Sequence, residues 1–117
     1  MRYIRLTILM MVFALPAAGE VTDSIYTSLV KQGFEALASD SLVVAESHFR
    51  EAMRHSPSHK SNYLLFRYVG QIQERQGWEK EALESYTAGL SQNPKYVDLM
   101  LDRAALYYRM GNEGRAL

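Results

Sequence analysis

Apolar side chains recur every three to four residues along most of the chain, with polar side chains between them. This is the period of a helix with one buried face, and no segment alternates residue by residue as a half-buried strand does. Pro57 and Pro94 mark helix ends, because proline cannot continue a helix and disfavours helical backbone in the residue before it. The pattern predicts an all-α protein with helices at about 23–38, 42–55, 62–76, 79–92 and 96–110, and a sixth beginning near Glu113.

Residues suited to helix ends lie near these boundaries. Ser41, Asn62 and Asn112 are predicted N-caps, because their side chains can accept hydrogen bonds from free amides of a first helical turn. Gly77 and Gly111 lie where a residue in the left-handed conformation should end a helix. These signals predict helices joined in pairs by short turns.

The same residue types return along the chain at a fixed spacing. Steps of twelve, four, three and five residues separate the members of two sets: Gly33, Ala45, Phe49, Ala52, Pro57, and then Gly70, Ala82, Tyr86, Gly89, Pro94. A partial third copy places Ala104 and Ala116 34 residues after Gly70 and Ala82. A fixed internal period indicates stacked structural units rather than one ordinary core.

The small residues of the repeat predict how its helices pack. Glycine inside a helix costs about 1 kcal/mol relative to alanine, so Gly33 and Gly70 need a packing reason. We expect Ala45 and Ala82 to approach them closely from the second helix of each pair. Phe49, and Tyr86 in the second copy, then fill the space toward the next repeat.

The order of these motifs resembles the tetratricopeptide-repeat (TPR) family, in which Ala-x3-Phe and Pro follow a large-x2-Leu-Gly-x2-Tyr segment. The three copies read as follows: Leu29-x2-Gln32-Gly33-x2-Ala36, Ala45-x3-Phe49, Pro57; Phe66-x2-Val69-Gly70-x2-Gln73, Ala82-x3-Tyr86, Pro94; Met100-x2-Arg103-Ala104-x2-Tyr107, Ala116. The resemblance implies antiparallel helix-turn-helix repeats stacked as a right-handed α-solenoid, with about two and a half repeats at 26–59, 63–96 and 97–117. Polar or small residues replace the family's usual apolar ones at Gln32, Ala36, Gln73 and Arg103, which predicts looser packing in the same fold.

The first nineteen residues have the features of an export signal. Arg2 and Arg5 precede an apolar run over residues 6–15, and small residues follow it up to Gly19. This order is that of a cleavable secretory signal peptide. An uncleaved membrane anchor is the alternative, but about ten apolar residues are few for a bilayer that needs ~20. The sequence predicts a signal peptide over 1–19, cleavage after Gly19, a TPR domain over 20–117, and a periplasmic or secreted protein.

Composition limits the classes of partner and of chemistry that the protein can have. The 117 residues carry 13 Lys and Arg against 13 Asp and Glu, and both leader arginines leave with the signal peptide. The slightly acidic remainder lacks the concentrated basic face that nucleic acid requires. The absence of cysteine excludes disulfides and thiol chemistry.

Candidate catalytic and metal-binding residues are few. His55 and His59 have the spacing of ligands on one helical face, but Pro57 interrupts that helix, so these histidines and His48 are interpreted as solvated surface residues. The carboxylate pairs Glu79 with Glu81, and Asp98 with Asp102, are expected on wet helix faces rather than in a cleft. The sequence therefore predicts no metal, no cofactor, no small-molecule substrate and no enzymatic activity.

The resemblance implies a groove that binds a protein or peptide partner, lined by the first helix of each pair. The groove residues predicted on this basis are Val30, Phe34, Leu37, Arg67, Gln71, Arg75, Tyr108 and Arg109. They form an apolar end and a basic end, and Arg67, Gln71 and Arg75 follow at four-residue spacing, so they could bind a peptide carboxylate together. Solubilising residues paired with Glu74 or Glu79 are the equally weighted alternative.

The fifth predicted helix carries apolar residues with no predicted neighbour: Val97, Met100, Leu101, Ala104 and Tyr107. Three explanations are open, namely that the sequence is part of a longer repeat protein, that this face is an oligomer or partner interface, or that the helix is frayed. The first is favoured, because a repeat needs a neighbour to bury its apolar face. We expect a protein-interaction scaffold in the cell envelope. The alternatives are a structural subunit of an envelope complex and the N-terminal repeat segment of a longer multidomain protein.

Overall fold

A computed structural model describes residues 18–112, and all regular secondary structure in this range is helical. The five helices are α1 (Ala18–Ala38), α2 (Leu42–His55), α3 (Asn62–Arg75), α4 (Glu79–Gln92) and α5 (Val97–Asn112). The most extensive contacts join α1 to α2 and α3 to α4, while smaller contacts join α2 to α3 and α4 to α5. The predicted all-α arrangement of stacked helix pairs is therefore confirmed.

The helix boundaries agree with the prediction for α2 and α4 and differ elsewhere. The first helix begins at Ala18, before its predicted start, and α5 continues through Gly111 to Asn112. The prediction that Gly111 ends a helix is wrong, and Asn112 is the last residue of α5 rather than an N-cap. The signal peptide prediction falls mostly on residues 1–17, and the sixth helix on residues 113–117, both outside the described range.

Gly77 ends α3 as predicted, and Asp40 does the same for α1. Gly77 has φ +82° and Asp40 has φ +59°, and the two residues lie 37 positions apart, as the first two repeats do. After each helix, two amides donate back to carbonyls of the last turn, with Trp78 N to Gln73 O at 2.8 Å and Ser41 N to Ala36 O at 2.9 Å. This is the Schellman end of a helix, which requires one left-handed residue. Aspartate is among the few residues other than glycine that adopt this conformation.

The predicted N-caps have other roles in the structure. Ser41 precedes α2 but makes no side-chain capping hydrogen bond, and Ser61, not Asn62, precedes α3. Asn62 is buried, where its amide oxygen accepts a hydrogen bond from the Tyr26 hydroxyl at 2.8 Å and its nitrogen donates to Ser56 O at 2.8 Å. The N-cap prediction is wrong for Asn62 because the amide serves a contact between helices.

Two apolar cores lie between the helices. The first is built from Tyr26, Ala45, Phe49, Ala52, Leu65, Val69 and Ile72. The second is built from Ala82, Tyr86, Leu90, Leu99, Leu106 and Met110. Since α3 contributes to the first core and its hairpin partner α4 to the second, each core combines residues of one repeat with residues of the next, as in repeat proteins.

The two glycines of the repeat each face an aromatic ring. A Cβ atom added to Gly33 would lie 2.5 Å from Cε1 of Phe49, and one added to Gly70 would lie 2.4 Å from Cε1 of Tyr86. The predicted close approach of two helices is confirmed, but the close neighbour is the ring rather than Ala45 or Ala82. The ring fills the space left by the missing side chain within its own hairpin.

One polar departure from the family pattern is accommodated by a hydrogen bond. Gln73 is buried, and its amide lies 2.6 Å from the hydroxyl of Ser85 on α4. A buried amide costs little when it is hydrogen bonded. At this position the departure adds a polar contact to the α3–α4 hairpin.

The fifth helix has one buried and one open face. Leu99, Leu106 and Met110 pack into the second core, whereas the residues predicted to lack a neighbour are exposed: Val97, Met100, Leu101, Ala104 and Tyr107. Among the helices of residues 18–112, none combines the length and the apolar character that a membrane span requires.

Candidate functional site

An open apolar cavity of about 340 Å³ lies between α1 and α3. It is lined by Tyr26, Thr27, Val30, Phe34, His59, Ser61, Leu64, Leu65 and Tyr68. Phe34 meets Tyr68 edge to face, with ring centroids 4.8 Å apart, and meets Phe49 of the core in the same way at 5.0 Å. Edge-to-face contacts of this kind stabilise aromatic pairs, so packed rings form one wall of the cavity. Val30 and Phe34 thus lie together.

His59 and Tyr26 lie next to each other in the lining of the apolar cavity. Their rings are stacked with centroids 3.7 Å apart, and the Ser61 amide donates to His59 Nδ1 at 3.1 Å. Because Nδ1 accepts, the neutral imidazole carries its proton on Nε2. Burial raises the pKa of the Tyr26 phenol, which stays protonated and donates to Asn62. The interpretation of His59 as a solvated surface residue is wrong, since the stack half-buries it.

A second, polar cavity of about 420 Å³ lies between α3 and α5. It is lined by Gln71, Glu74, Arg75 and Arg109. Arg109 Nη1 donates to Glu74 Oε1 at 2.9 Å, and the other oxygen of Glu74 accepts from the Tyr86 hydroxyl. Burial first, and then the Glu74 carboxylate, raise the pKa of Tyr86 far above its ordinary value. The phenol is therefore a fixed donor to Glu74.

Arg75 is the more open of the two arginines. It pairs with Asp40 of the α1–α2 turn, and both side chains are exposed, by 51% and 75%. The pair joins the end of α3 to the left-handed residue that ends α1. An ion pair this exposed contributes at most about 1 kcal/mol, so its arginine can exchange one carboxylate for another at small cost.

Arg67 lies nearby, but its guanidinium group is bound to acidic residues of α5. Its Nε donates to Asp102 Oδ2 at 2.7 Å and its Nη1 to Asp98 Oδ2 at 3.5 Å, and the Arg67 side chain is only 22% exposed. Gln71 donates to the same Asp102 oxygen at 3.2 Å. The hydrogen bond to Asp102 raises the pKa of Arg67. The expectation of a wet face is wrong for Asp102, which is half-buried in this contact.

The structure thus divides the eight predicted groove residues. Val30 and Phe34 line the apolar cavity, and Gln71, Arg75 and Arg109 line the polar one. Leu37 packs against the first core, Arg67 ties α3 to α5, and Tyr108 is 73% exposed. Neither cavity is lined by these last three.

Arg67→Glu should loosen α5 rather than test the groove. The substitution removes two charge-assisted hydrogen bonds and places a carboxylate beside Asp98 and Asp102, which should lower the free energy of unfolding by about 2 kcal/mol. Amide hydrogen exchange should accelerate in α5 more than in α1. Arg54→Glu on the exposed surface of α2 is the matched control and should leave both rates unchanged. Equal exchange in the two variants would show that Arg67 does not hold α5.

The sequence prediction missed most residues that line the apolar cavity, among them Tyr26, His59, Leu64 and Tyr68. A signal for two of them was present. Leu64, Tyr68, Gln71 and Arg75 follow at steps of four, three and four residues, which places them on one face of a helix. Residues 18–112 contain no group of three or more histidine, aspartate or glutamate side chains arranged to hold a metal ion.

The fold defines a class of protein, the α-solenoid built from stacked helical hairpins. A crystal structure of a tetratricopeptide repeat protein from Parabacteroides merdae is similar to this one, with a TM-score of 0.73 and 37% sequence identity. The chain has the fold and the motif order of a tetratricopeptide-repeat protein, as predicted from its sequence. The similarity covers 76% of this chain but only 35% of the other. No family model matches the sequence, and no curated protein matches it.

Proposed function

We propose that this protein is an exported adaptor that binds a segment of a partner protein in its two cavities and carries out no catalysis. TPR folds generally mediate protein interactions, which supports the general class. The observation that carries the proposal is the apolar cavity between α1 and α3. Its volume lies within the ~300–1,000 Å³ range of ligand pockets, and three aromatic residues, Tyr26, Phe34 and Tyr68, form its walls.

The openness of this cavity favours a peptide over a globular surface. The cavity lies between two neighbouring first helices, and the polar cavity lies further along α3, so a partner that fills both must extend along α3. A linear segment can place one side chain in each cavity while its backbone remains accessible to water. Apolar surface buried in this way contributes about 25 cal/mol per Å².

Export is the part of the proposal that rests on the sequence. The order of charged, apolar and small residues before Glu20 supports a periplasmic or secreted protein. Mass spectrometry of the protein from its native host should find Glu20 at the mature N-terminus. A native chain that still begins at Met1 would contradict the signal peptide.

A second candidate function is a permanent structural one. It is favoured by the exposed apolar row on α5, where Val97 and Leu101 are among the most exposed large hydrophobic residues. A structural subunit of an envelope complex would bury this row against another chain. The repeat segment of a longer protein would bury it against a further helix, which fits the 35% coverage of the P. merdae protein.

Site-specific photo-cross-linking tests whether the partner binds in the groove or at another surface. A benzophenone amino acid at Thr27, an exposed residue that lines the apolar cavity, should capture one defined envelope protein through one linear segment. The same group at Glu84, exposed on α4, is the matched control and should not capture that segment. If Glu84 captures it and Thr27 does not, the partner binds elsewhere and the groove proposal fails.

A further inference from the structure

The apolar and polar cavities lie in series along one face of α3. Leu64 and Tyr68 line the first cavity, and Gln71 and Arg75 line the second. Helix geometry gives 1.5 Å of rise per residue, so Tyr68 and Arg75 are separated by about 10 Å along the axis. An extended peptide spans this distance in about three residues. The spacing of the two cavities thus fixes the spacing of the groups that can fill both.

The polar cavity has the chemistry of a carboxylate site. Two guanidinium groups, those of Arg75 and Arg109, border it together with the amide of Gln71 and the carboxylate of Glu74, which is paired with Arg109. Arginine is the side chain best shaped to bind a carboxylate through paired hydrogen bonds. The Gln71 amide already donates to Asp102, so the two arginines supply the charge.

Arg75 can turn to a ligand without leaving a buried charge behind, because its present partner Asp40 is 75% exposed and is solvated when the arginine moves. Arg109 keeps its pairing with Glu74, whose side chain is only 18% exposed. That bond runs from Nη1, and a guanidinium group carries five N–H donors, so a ligand carboxylate can bind Arg109 without displacing Glu74. The ligand therefore displaces only Asp40.

We infer that the segment bound in the groove carries one large apolar side chain and, about three residues away, one acidic side chain. The apolar side chain fills the cavity beside Phe34 and Tyr68, and the acidic side chain binds Arg75 and Arg109. The inference rests on the proposed function, and it adds the composition and spacing of the partner segment. Charge complementarity in the polar cavity is what selects an acidic group over a neutral one.

Asp40 acts in this arrangement as an internal competitor. Its carboxylate occupies Arg75 in the absence of a ligand, and a ligand carboxylate must displace it. Asp40 also stands at the repeat position that Gly77 fills in the second hairpin, with the same left-handed backbone. Asp40→Gly should therefore keep the turn and free Arg75, a combination that few positions allow.

The test is an NMR titration of the isotope-labelled 117-residue chain with capped peptides. The probe is Gly-Phe-Gly-Gly-Glu-Gly, and its control has glutamine in place of glutamate. At low salt the glutamate peptide should bind about tenfold more tightly, the effect of one charge-assisted hydrogen-bonded pair. Shifted amides should include those of Phe34, Tyr68 and Arg75.

Three variants test whether the polar cavity causes the difference in affinity between the glutamate and glutamine peptides. Arg75→Gln should abolish the preference for glutamate, whereas Arg54→Gln, the matched change on α2, should leave it intact. Asp40→Gly should raise the affinity for the glutamate peptide several-fold without changing the affinity for the glutamine peptide. A probe with phenylalanine and glutamate adjacent should lose the preference.

The possible outcomes separate failure of the acidic requirement from failure of the proposed groove function. Equal affinity for the two peptides, with shifts at Phe34 and Tyr68, would overturn the acidic requirement and leave the groove in place. Preference for glutamate that survives Arg75→Gln would overturn the assignment to this cavity. No shift at Phe34 or Tyr68 with either peptide, together with failure of the Thr27 cross-link, would overturn the groove function itself.

Discussion

Gly70→Leu is expected to lower the free energy of unfolding by about 3 kcal/mol, because the new side chain has no space. Even a Cβ atom at this position would lie 2.4 Å from the Tyr86 ring, and that ring is fully buried. The gain in helix propensity on replacing glycine, at most about 1 kcal/mol, offsets only part of this cost. Urea denaturation followed by circular dichroism would measure the change.

Two further variants make the Gly70 result specific. Gly111→Ala is the matched control, because Gly111 also lies in a helix but has nothing within 4 Å of an added Cβ atom, so it should be neutral or slightly stabilising. In a Tyr86→Ala background the leucine gains room, and its cost should fall by more than 1 kcal/mol through coupling of the two sites. Additive effects would mean that the ring is not what excludes the side chain.

The repeat architecture could be predicted from sequence because its signals are local and recur. The spacing of Gly33, Phe49 and Pro57 is the same as that of Gly70, Tyr86 and Pro94. A recurring spacing indicates that the same hairpin is formed each time. The helix ends at Gly77 and near both prolines follow from backbone chemistry that acts within a few residues. Val30 and Phe34 line one cavity for a similar reason, since they are neighbours on one helix face.

The polar contacts could not be predicted in the same way, because they join residues about one repeat apart. Tyr26 binds Asn62 at a separation of 36 residues, and Arg67 binds Asp102 and Arg75 binds Asp40 at 35. Spacing along a helix points to partners three or four residues away, and Glu74 and Glu79 are the acidic residues that this spacing offers. In a stacked repeat, however, the nearest polar side chain is often the one at a similar position of the next hairpin. The alternative in which the basic residues are paired was therefore weighed with Glu74 and Glu79, whereas Arg67 pairs with Asp98 and Asp102, and Arg75 pairs with Asp40.

Asn62→Ala is expected to cost about 3 kcal/mol, because one buried amide serves several groups at once. Without it, the Tyr26 hydroxyl loses its acceptor, and the carbonyls of Ser56 and Pro57 lose the donor that lies 2.8 and 3.3 Å away. These groups join α1, the α2–α3 connection and the start of α3. Thermal and urea unfolding of the purified variant would measure the loss.

Tyr26→Phe is the matched control, since it removes only the hydroxyl and keeps the ring stacked on His59. It should cost about 1 kcal/mol, the value of a single hydrogen bond, and the stacked rings should continue to line the apolar cavity. Equal losses in the two variants would show that water replaces the amide at the Ser56 and Pro57 carbonyls. A larger loss for Asn62→Ala, with weaker binding of the phenylalanine probe, would show that the connection holding His59 depends on this amide. In that case the residue first interpreted as a helix cap would be what gives the binding cavity its shape.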